Sequence, residues 1–160
     1  MLDPFDRKIL GVLAADAAIS YARLGEKVGL SAPAVHERVK RLRKTGVITA
    51  TCARLDGEAV GKPLLAFVHV DTTGWSKGPR MMKLAAFPEI EEMHSVSGDT
   101  CMILKVRSRN ARELEAVLAQ IYAVPGVVAT RSYVVLSTFL ERPVQAEITE
   151  VWPPLPPPRD

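Results

Sequence analysis

Three helix signals follow one another within the first 50 residues, and this spacing constrains the fold more than any other feature of the sequence. Asp3 followed by Pro4 is typical of a helix start, because aspartate accepts hydrogen bonds from free N–H groups and proline fits the first helical turn. Ser20 and Ser31 are the next N-cap candidates, and Gly29 can adopt the left-handed conformation that ends a helix. The sequence therefore predicts three short helices with a tight turn between the second and the third.

The third helix has the pattern of a recognition helix. A tight turn before it is typical of a helix-turn-helix, whose second helix enters the major groove of DNA. Val35, Val39 and Leu42 recur at helical spacing and are predicted to face the core, which turns the other side chains outward or onto the flanks. We expect the outward side chains at the start of this helix to approach base edges, and the Lys and Arg side chains nearer its end to lie along phosphates. The predicted DNA-binding residues are Ser31, Ala32, Pro33, His36, Glu37, Arg38, Lys40, Arg41, Arg43 and Lys44.

Charge is distributed unevenly along the chain. Residues 1–50 contain nine Lys and Arg against five Asp and Glu, a net charge of +4, whereas the other 110 residues carry −1. Taken alone, the basic end of the third helix would also suit a solvated helix terminus, because cations stabilise the negative end of the helix dipole. Its coincidence with the helix-turn-helix spacing favours double-stranded DNA as the partner.

The region from 64 to 142 is predicted to be an α+β domain. The predicted elements are a strand at Leu64–Asp71, a helix at Pro79–Phe87, strands at Glu89–Ser97 and Cys101–Arg107, a helix at Asn110–Tyr122 and a strand at Val127–Phe139. This βαββαβ order is that of a ferredoxin-like unit, with two helices on one face of an antiparallel sheet. The strands are apolar on both faces, so we expect a second copy to cover the other face, unless helix and tail residues wrap around it.

Changes in composition suggest the domain limits. We assign 1–50 to the helix-turn-helix, 51–63 to a linker or hinge strand, 64–142 to the αβ domain and 143–160 to a Pro-rich tail. The chain from Val47 to Leu55 reads as extended, and the Pro-Pro-Leu-Pro-Pro-Pro run of the tail is predicted to be extended or disordered. No apolar run is long enough for a bilayer and the start does not resemble a signal peptide, which predicts a cytoplasmic protein without membrane contact.

Two other classes of protein fit the sequence less well. An enzyme would need a base beside its nucleophile, and Cys101 next to Asp99 has no histidine nearby in sequence, so we predict no catalytic residue. The isolated cysteines and histidines predict no metal site. An RNA-recognition domain shares the βαββαβ order, but the segment Cys101–Arg107 lacks the aromatic residues that stack on bases.

The order and spacing of several motifs resemble the leucine-responsive and asparagine-responsive (Lrp/AsnC, or feast/famine) regulators over about residues 3–142. These motifs are Leu24–Ser31, Val35, Arg38-Val39, Arg41-Leu42, Gly46–Ile48, Leu55-Asp56, Gly61, Val96–Asp99 and Pro125–Val127, with the final strand. The resemblance implies a winged helix-turn-helix, a hinge and a ferredoxin-like RAM domain that senses a ligand. It also implies a sequence-specific transcription regulator without a cofactor, an amino acid or related small metabolite as effector, and homodimers that assemble in many relatives as four dimers in an octamer.

The resemblance further implies an effector site in clefts between dimers, near the Gly98-Asp99-Thr100 turn. The predicted effector-binding residues are Gly98, Asp99, Thr100, Thr130 and Ser132. Relatives commonly have Gly-Asp-Tyr-Asp at this turn, whereas this chain has Gly-Asp-Thr-Cys and so loses an aromatic residue and an acid. An ordinary hairpin turn also explains Gly98-Asp99. The alternative function is therefore an architectural DNA-binding protein of the same fold with no effector response.

Overall fold

Three helices are followed by a βαββαβ series in the computed structural model, which describes residues 2–73 and 79–154. The elements are α1 (Pro4–Ala15), α2 (Tyr21–Val28), α3 (Ala32–Lys44), β1 (Leu64–Thr72), α4 (Pro79–Met82) with a 3₁₀ turn (Lys83–Ala86), β2 (Ile90–Ser95), β3 (Met102–Ser108), α5 (Ala111–Tyr122) and β4 (Val127–Val134). The α+β class and the order of elements are confirmed. The chain divides into two compact units, Met1–Ala53 with Leu140–Asp160, and Arg54–Phe139.

The helix starts in the first unit lie where the capping residues predict them. Asp3 accepts a hydrogen bond from the Asp6 N–H at 2.8 Å, and the Ser20 and Ser31 hydroxyls cap α2 and α3. Gly29 ends α2 with a φ of +76°, a value that glycine adopts without strain. One apolar core joins the three helices, and its buried members are Ile9, Leu24, Val28, Val35, Val39 and Leu42. The predicted buried stripe of α3 is thus confirmed.

The structure assigns no strand to the hinge predicted within 51–63, nor to Val47–Leu55, the segment predicted to be extended. The described residues between α3 and β1 form no strand, so no β wing follows α3 among them. The N–H groups of Val47 and Ile48 both donate to the Leu42 carbonyl, which closes the end of α3. Because a strand needs a partner to pair with its backbone, β-branched residues alone do not make one here.

The second unit contains a four-stranded antiparallel sheet in the order β2-β3-β1-β4. Val68 pairs with Leu104 on β3 and with Ser132 on β4, which sets the register of the central strands. The side chains on one face of β1 and β3 are buried together with those of α4, the 3₁₀ turn and α5. These core residues are Ala66, Val68, Val70, Met81, Leu84, Met102, Leu104, Val106, Leu114, Val117, Ile121 and Val124.

Two predicted elements differ in extent or type from those in the structure by more than a residue or two at their ends. The helix predicted over Pro79–Phe87 is a single α turn followed by a 3₁₀ turn, and β4 ends at Val134 instead of Phe139. The last bond of the β1–β4 ladder runs from the Val135 N–H to the Leu65 carbonyl, one residue from the start of β1. Residues beyond it have no strand to pair with, and the side chain of Phe139 is 98% exposed.

The sheet face away from the helices is mixed in character, which corrects the expectation of an apolar second face. Phe67 and Tyr133 lie side by side on it and are 39% and 54% exposed. The same face carries ion pairs, since Lys105 and Arg107 both bind Glu91, at 3.3 and 2.7 Å. The helices of this unit pack on the other face, so its described residues leave the part around Tyr133 open.

The tail assigned to 143–160 is partly packed. The Arg7 Nη1 atom donates a hydrogen bond of 2.7 Å to the Ala146 carbonyl, and Ala146 is half-buried within an otherwise exposed segment. Most of the proline run predicted to be extended or disordered falls in 155–160, outside the described residues. None of the described helices is both long and apolar enough to span a bilayer.

Candidate nucleic-acid interface and effector region

One side of α3 is exposed because the other side belongs to the core. Val35, Val39 and Leu42 are at most 2% exposed, which orients the helix about its axis. The predicted DNA-binding residues divide accordingly. Those with exposed side chains are Ser31, Pro33, His36, Glu37, Lys40, Arg41, Arg43 and Lys44, whereas Ala32 and Arg38 are half-buried. The structure thus gathers the polar candidates near the start of α3 and the basic candidates near its end.

His36 has a defined position at the start of this face. Its ring lies 5.3 Å from that of Tyr21 at an angle of 42°, and its Nδ1 atom is 3.8 Å from Glu37 Oε1. The His36 side chain is still 55% exposed. An imidazole held against an aromatic ring with its edge in solvent can donate or accept a hydrogen bond at a base edge.

Arg38 and Arg41 are joined to α1 by ion pairs. Both bind the carboxylate of Asp6, whose side chain is 3% exposed, with Arg38 Nη1 at 2.9 Å and Arg41 Nη2 at 2.6 Å. Arg38 also binds Asp3. The two arginines therefore neutralise a buried carboxylate, and the structure uses their charge to hold α3 against α1.

This network shifts the pKa values of Asp3 and Arg38. The Arg38 guanidinium hydrogen-bonded to Asp3 holds the pKa of that carboxyl below its ordinary value, with the Asp6 N–H adding to the effect. The pKa of Arg38 is raised in turn, mainly by its hydrogen bond to Asp3 and then by that to Asp6. Both shifts favour the charged forms that make the pair.

Sequence reasoning missed the role of Asp6 and Tyr21. Asp6 precedes Ile9 by three positions on the inner face of α1, so an acid at a core position was the available signal of a buried ion pair. Tyr21 gave no such signal, because its contact with His36 depends on how α2 and α3 pack. With Arg38 and Arg41 engaged, the exposed cations of α3 outside the network are Lys40, Arg43 and Lys44.

One of the three predicted effector-binding residues of the turn, Thr100, is buried and bonds within the fold. The Thr100 hydroxyl is buried within hydrogen-bond distance of the carbonyls of Val70, at 3.3 Å, and Met102, at 3.4 Å. Gly98 and Asp99 are exposed, and the Asp99 carbonyl accepts a hydrogen bond of 3.4 Å from Arg131 Nη2. Thr100 thus ties the turn to the end of β1, while Gly98 and Asp99 face solvent.

Thr130 and Ser132 lie on the opposite sheet face from Arg131, because side chains alternate along β4. Thr130 and Ser132 are opposite Val70 and Val68, and Arg131 is opposite His69. The structure therefore places the two predicted β4 residues apart from the contact between Asp99 and Arg131. The Thr130 N–H donates to the Tyr122 hydroxyl at 3.2 Å.

A polar group near this turn was not predicted. Asp71 Oδ2 forms an ion pair of 3.0 Å with Arg131, while Asp71 Oδ1 and Thr72 Oγ1 are buried without a hydrogen-bond partner. Buried unpaired oxygens at the end of a strand are unusual and are frequently satisfied by a ligand or water. No local sequence signal distinguished Asp71 from an ordinary strand end.

Comparison with known proteins covers both units. The AsnC-type helix-turn-helix domain model matches residues 2–43, and the Lrp/AsnC ligand binding domain model matches residues 65–145. The chain is 36% identical over 140 residues to the HTH-type transcriptional regulator FL11 of Pyrococcus horikoshii, covering 88% of this chain and 93% of that one. It is 38% identical over 139 residues to the HTH-type transcriptional regulator LrpA of Mycobacterium tuberculosis, covering 86% and 92%.

Solved structures share the same architecture. The feast or famine regulatory protein from M. tuberculosis complexed with L-methionine matches with a TM-score of 0.81 and 37% identity, covering 88% of this chain and 96% of that one. A transcriptional regulator from Neisseria meningitidis, solved as an L-methionine complex, matches with a TM-score of 0.81 and 25% identity, covering 94% and 98%. The two domain models match in the order that the motifs predicted, and the matches cover nearly the whole length of the relatives. The chain belongs to the Lrp/AsnC family of transcription regulators.

Proposed function

We propose that this regulator reads DNA with the exposed face of α3 and changes its DNA binding in response to an amino acid or related small metabolite. The observation that carries the DNA-reading part is the orientation of α3, whose buried side faces the core while His36, Glu37 and Lys40 project into solvent. Ser31, Ala32 and Pro33 at the start of the helix complete the base-reading set, as the sequence predicts. Arg38 and Arg41 hold α3 against α1 through their ion pairs with Asp6.

Lys40 and Lys44 are expected to contact phosphates. Their combined replacement by alanine should weaken binding to specific and random DNA alike, and should reduce the slope of log K against log salt by about two, because each lost phosphate contact removes about one released counterion. The measurement is DNA affinity across a salt series. The matched control removes two exposed cations from the second unit, Lys83→Ala with Arg112→Ala, and should leave the slope unchanged. An unchanged slope in the α3 variant would show that neither lysine contacts a phosphate.

His36 is expected to read a base. The His36→Ala variant should lose about 1–3 kcal/mol of binding to the specific site and little to random DNA, because a base-edge contact contributes only where the right base is present. Competition between the two DNAs measures this difference. Equal losses on both would show that His36 supports the fold through Tyr21 and does not select sequence.

The effector part of the proposal is supported by two relatives whose structures are L-methionine complexes. In this chain the candidate residues are Gly98 and Asp99 at the turn, Thr100 beneath it, and Thr130 and Ser132 on β4. The buried unpaired oxygens of Asp71 and Thr72 add polar groups near the same turn. The altered turn, Gly-Asp-Thr-Cys, is expected to change the choice of ligand relative to proteins with Gly-Asp-Tyr-Asp.

The deciding experiment selects duplex DNA from a random pool with the purified protein, with and without a mixture of free amino acids. Enrichment of a palindromic site that shifts with the mixture supports a metabolite-gated regulator. Enrichment indifferent to the mixture contradicts the effector part and supports the architectural alternative. Failure to retain any DNA at low salt overturns the proposal as a whole.

We further infer that the protein acts as a homodimer in the cytoplasm, and that four dimers can form an octamer. The exposed Phe67 and Tyr133 on the open sheet face support a second copy as its cover. A two-fold dimer would present two α3 helices to half-sites one helical turn or a multiple of it apart. Enzymatic activity is not part of the proposal, since the relatives are named as regulators of transcription.

A further inference from the structure

A cavity of about 530 Å³ lies within the first unit, and α3 contributes Arg43 to its lining. Its walls come from α1, from the segment 47–51 that follows α3, and from the tail segment 143–148. This volume is in the range of small-molecule sites in proteins, which are about 300–1,000 Å³. The apolar side chains that line it include Leu10, Leu13, Val47, Ile48, Val144 and Ile148.

Two arginines give this apolar cavity a positive charge. Arg7 and Arg43 both line it, and none of its lining residues is Asp or Glu. Arg7 donates to the Ala146 carbonyl, and Arg43 is exposed. Neither guanidinium forms an ion pair with a carboxylate among the residues that the structure describes, whereas Arg38 and Arg41 of the same unit do.

We propose that this cavity binds a small monocarboxylate with an apolar chain. The carboxylate would bind the guanidinium groups of Arg7 and Arg43, since charge-assisted bonds to arginine are strong and geometrically specific. The apolar chain would lie against α1, Val47 and the tail segment, and would cover Val47 and Val144, which are 43% and 92% exposed. The lining offers no carboxylate to an ammonium group, which separates this ligand class from α-amino acids and from the effector region of the second unit.

The tail segment 143–148 forms part of the site. Val144 and Ile148 form one wall, and the Arg7–Ala146 hydrogen bond holds that wall near α1. Arg7 has further N–H donors free for a ligand, because a guanidinium carries five and the structure shows one in use. Binding is therefore expected to keep the tail in place.

The test titrates the full chain separately with octanoate, octylamine and 2-aminooctanoate, and monitors binding through the NMR signals of the protein's methyl groups. Octanoate should bind saturably at one site and shift the Leu10, Leu13 and Val47 methyl signals. Octylamine, which keeps the chain and reverses the charge, should not bind there, and 2-aminooctanoate should bind at least about tenfold more weakly. Equal binding of octylamine, or octanoate shifts confined to the second unit, would overturn the proposal.

Variants separate a true site from surface adsorption. Arg7→Gln and Arg43→Gln should each weaken octanoate at least about tenfold, the loss expected for a charge-assisted hydrogen bond. The control Arg23→Gln removes an exposed arginine of the same unit that does not line the cavity, and should bind octanoate unchanged. Ala17→Phe, at an exposed lining position, should block binding without removing charge. Undiminished binding in the arginine variants and in Ala17→Phe would contradict the site. DNA affinity of the Ala17→Phe protein, whose change lies outside the predicted DNA-binding residues, tests the regulator proposal independently.

Discussion

Replacing Asp6 by asparagine is expected to lower the free energy of unfolding of the first unit by about 2–3 kcal/mol, because it removes the charge that two arginines share. Asp6 accepts hydrogen bonds from Arg38 at 2.9 Å and from Arg41 at 2.7 and 2.6 Å. Asparagine has nearly the same shape, but its NH₂ group would point a donor at one of these guanidiniums. Arg38, whose side chain is only 26% exposed, would then keep Asp3 as its one charged partner among the described residues.

Urea unfolding followed by the methyl signals of Val35 and Val39 measures this loss, since both side chains lie in the core of that unit. Glu26→Gln is the matched control, because it makes the same chemical change at an exposed position of α2 and should alter stability by less than about 0.5 kcal/mol. Equal stability of the Asp6→Asn and Glu26→Gln proteins would show that the buried network contributes little.

A methyl group added at Gly25 is expected to destabilise the first unit by about 1–3 kcal/mol and to reduce DNA affinity. A Cβ at this position would lie 2.4 Å from the Leu30 carbonyl oxygen, and that oxygen belongs to the backbone of the turn before α3. The turn must move to make room, which also stretches the hydrogen bond of 2.9 Å from the Leu30 N–H to the Gly25 carbonyl. The effect opposes the gain of about 1 kcal/mol that alanine normally brings to a helix.

Gly11→Ala is the matched control for this prediction. Its Cβ would lie 2.4 Å from Glu147 Oε1, the far end of a flexible side chain that can move aside. Gly11→Ala should therefore leave stability unchanged or raise it, as helix propensity predicts. Thermal unfolding and DNA binding of both variants measure the difference. A Gly25→Ala protein as stable and as tightly DNA-binding as the Gly11→Ala protein would contradict the close packing of the turn.

The helix starts and the order of elements were predictable because their signals are local. An N-cap acts within three residues, as Ser31 does on the Ala34 N–H, and the left-handed residue Gly29 acts where it stands. Apolar periodicity likewise predicted which side of α3 faces the core. The family followed from the order of such motifs along the chain.

The ends of the strands and the ion-pair partners of charged side chains were less predictable. No strand follows α3 directly, because the N–H groups of Val47 and Ile48 close that helix on the Leu42 carbonyl. β4 stops at Val134 because β1 offers no further partner. The role of Arg38 and Arg41 was also beyond local reasoning. Their positions on α3 suit a phosphate contact, but their partners lie 32 and 35 residues earlier on α1.

The sequence by itself thus determined the three capped helices, the βαββαβ order and the inward face of α3, because caps and periodicity depend on neighbours within a few positions. Only the tertiary structure decided which cations of α3 form ion pairs with α1, how Thr100 is used beneath its turn, and that the tail returns to α1. The Arg7–Ala146 bond joins residues 139 positions apart. Such contacts depend on how whole elements pack, and no local pattern specifies the partner.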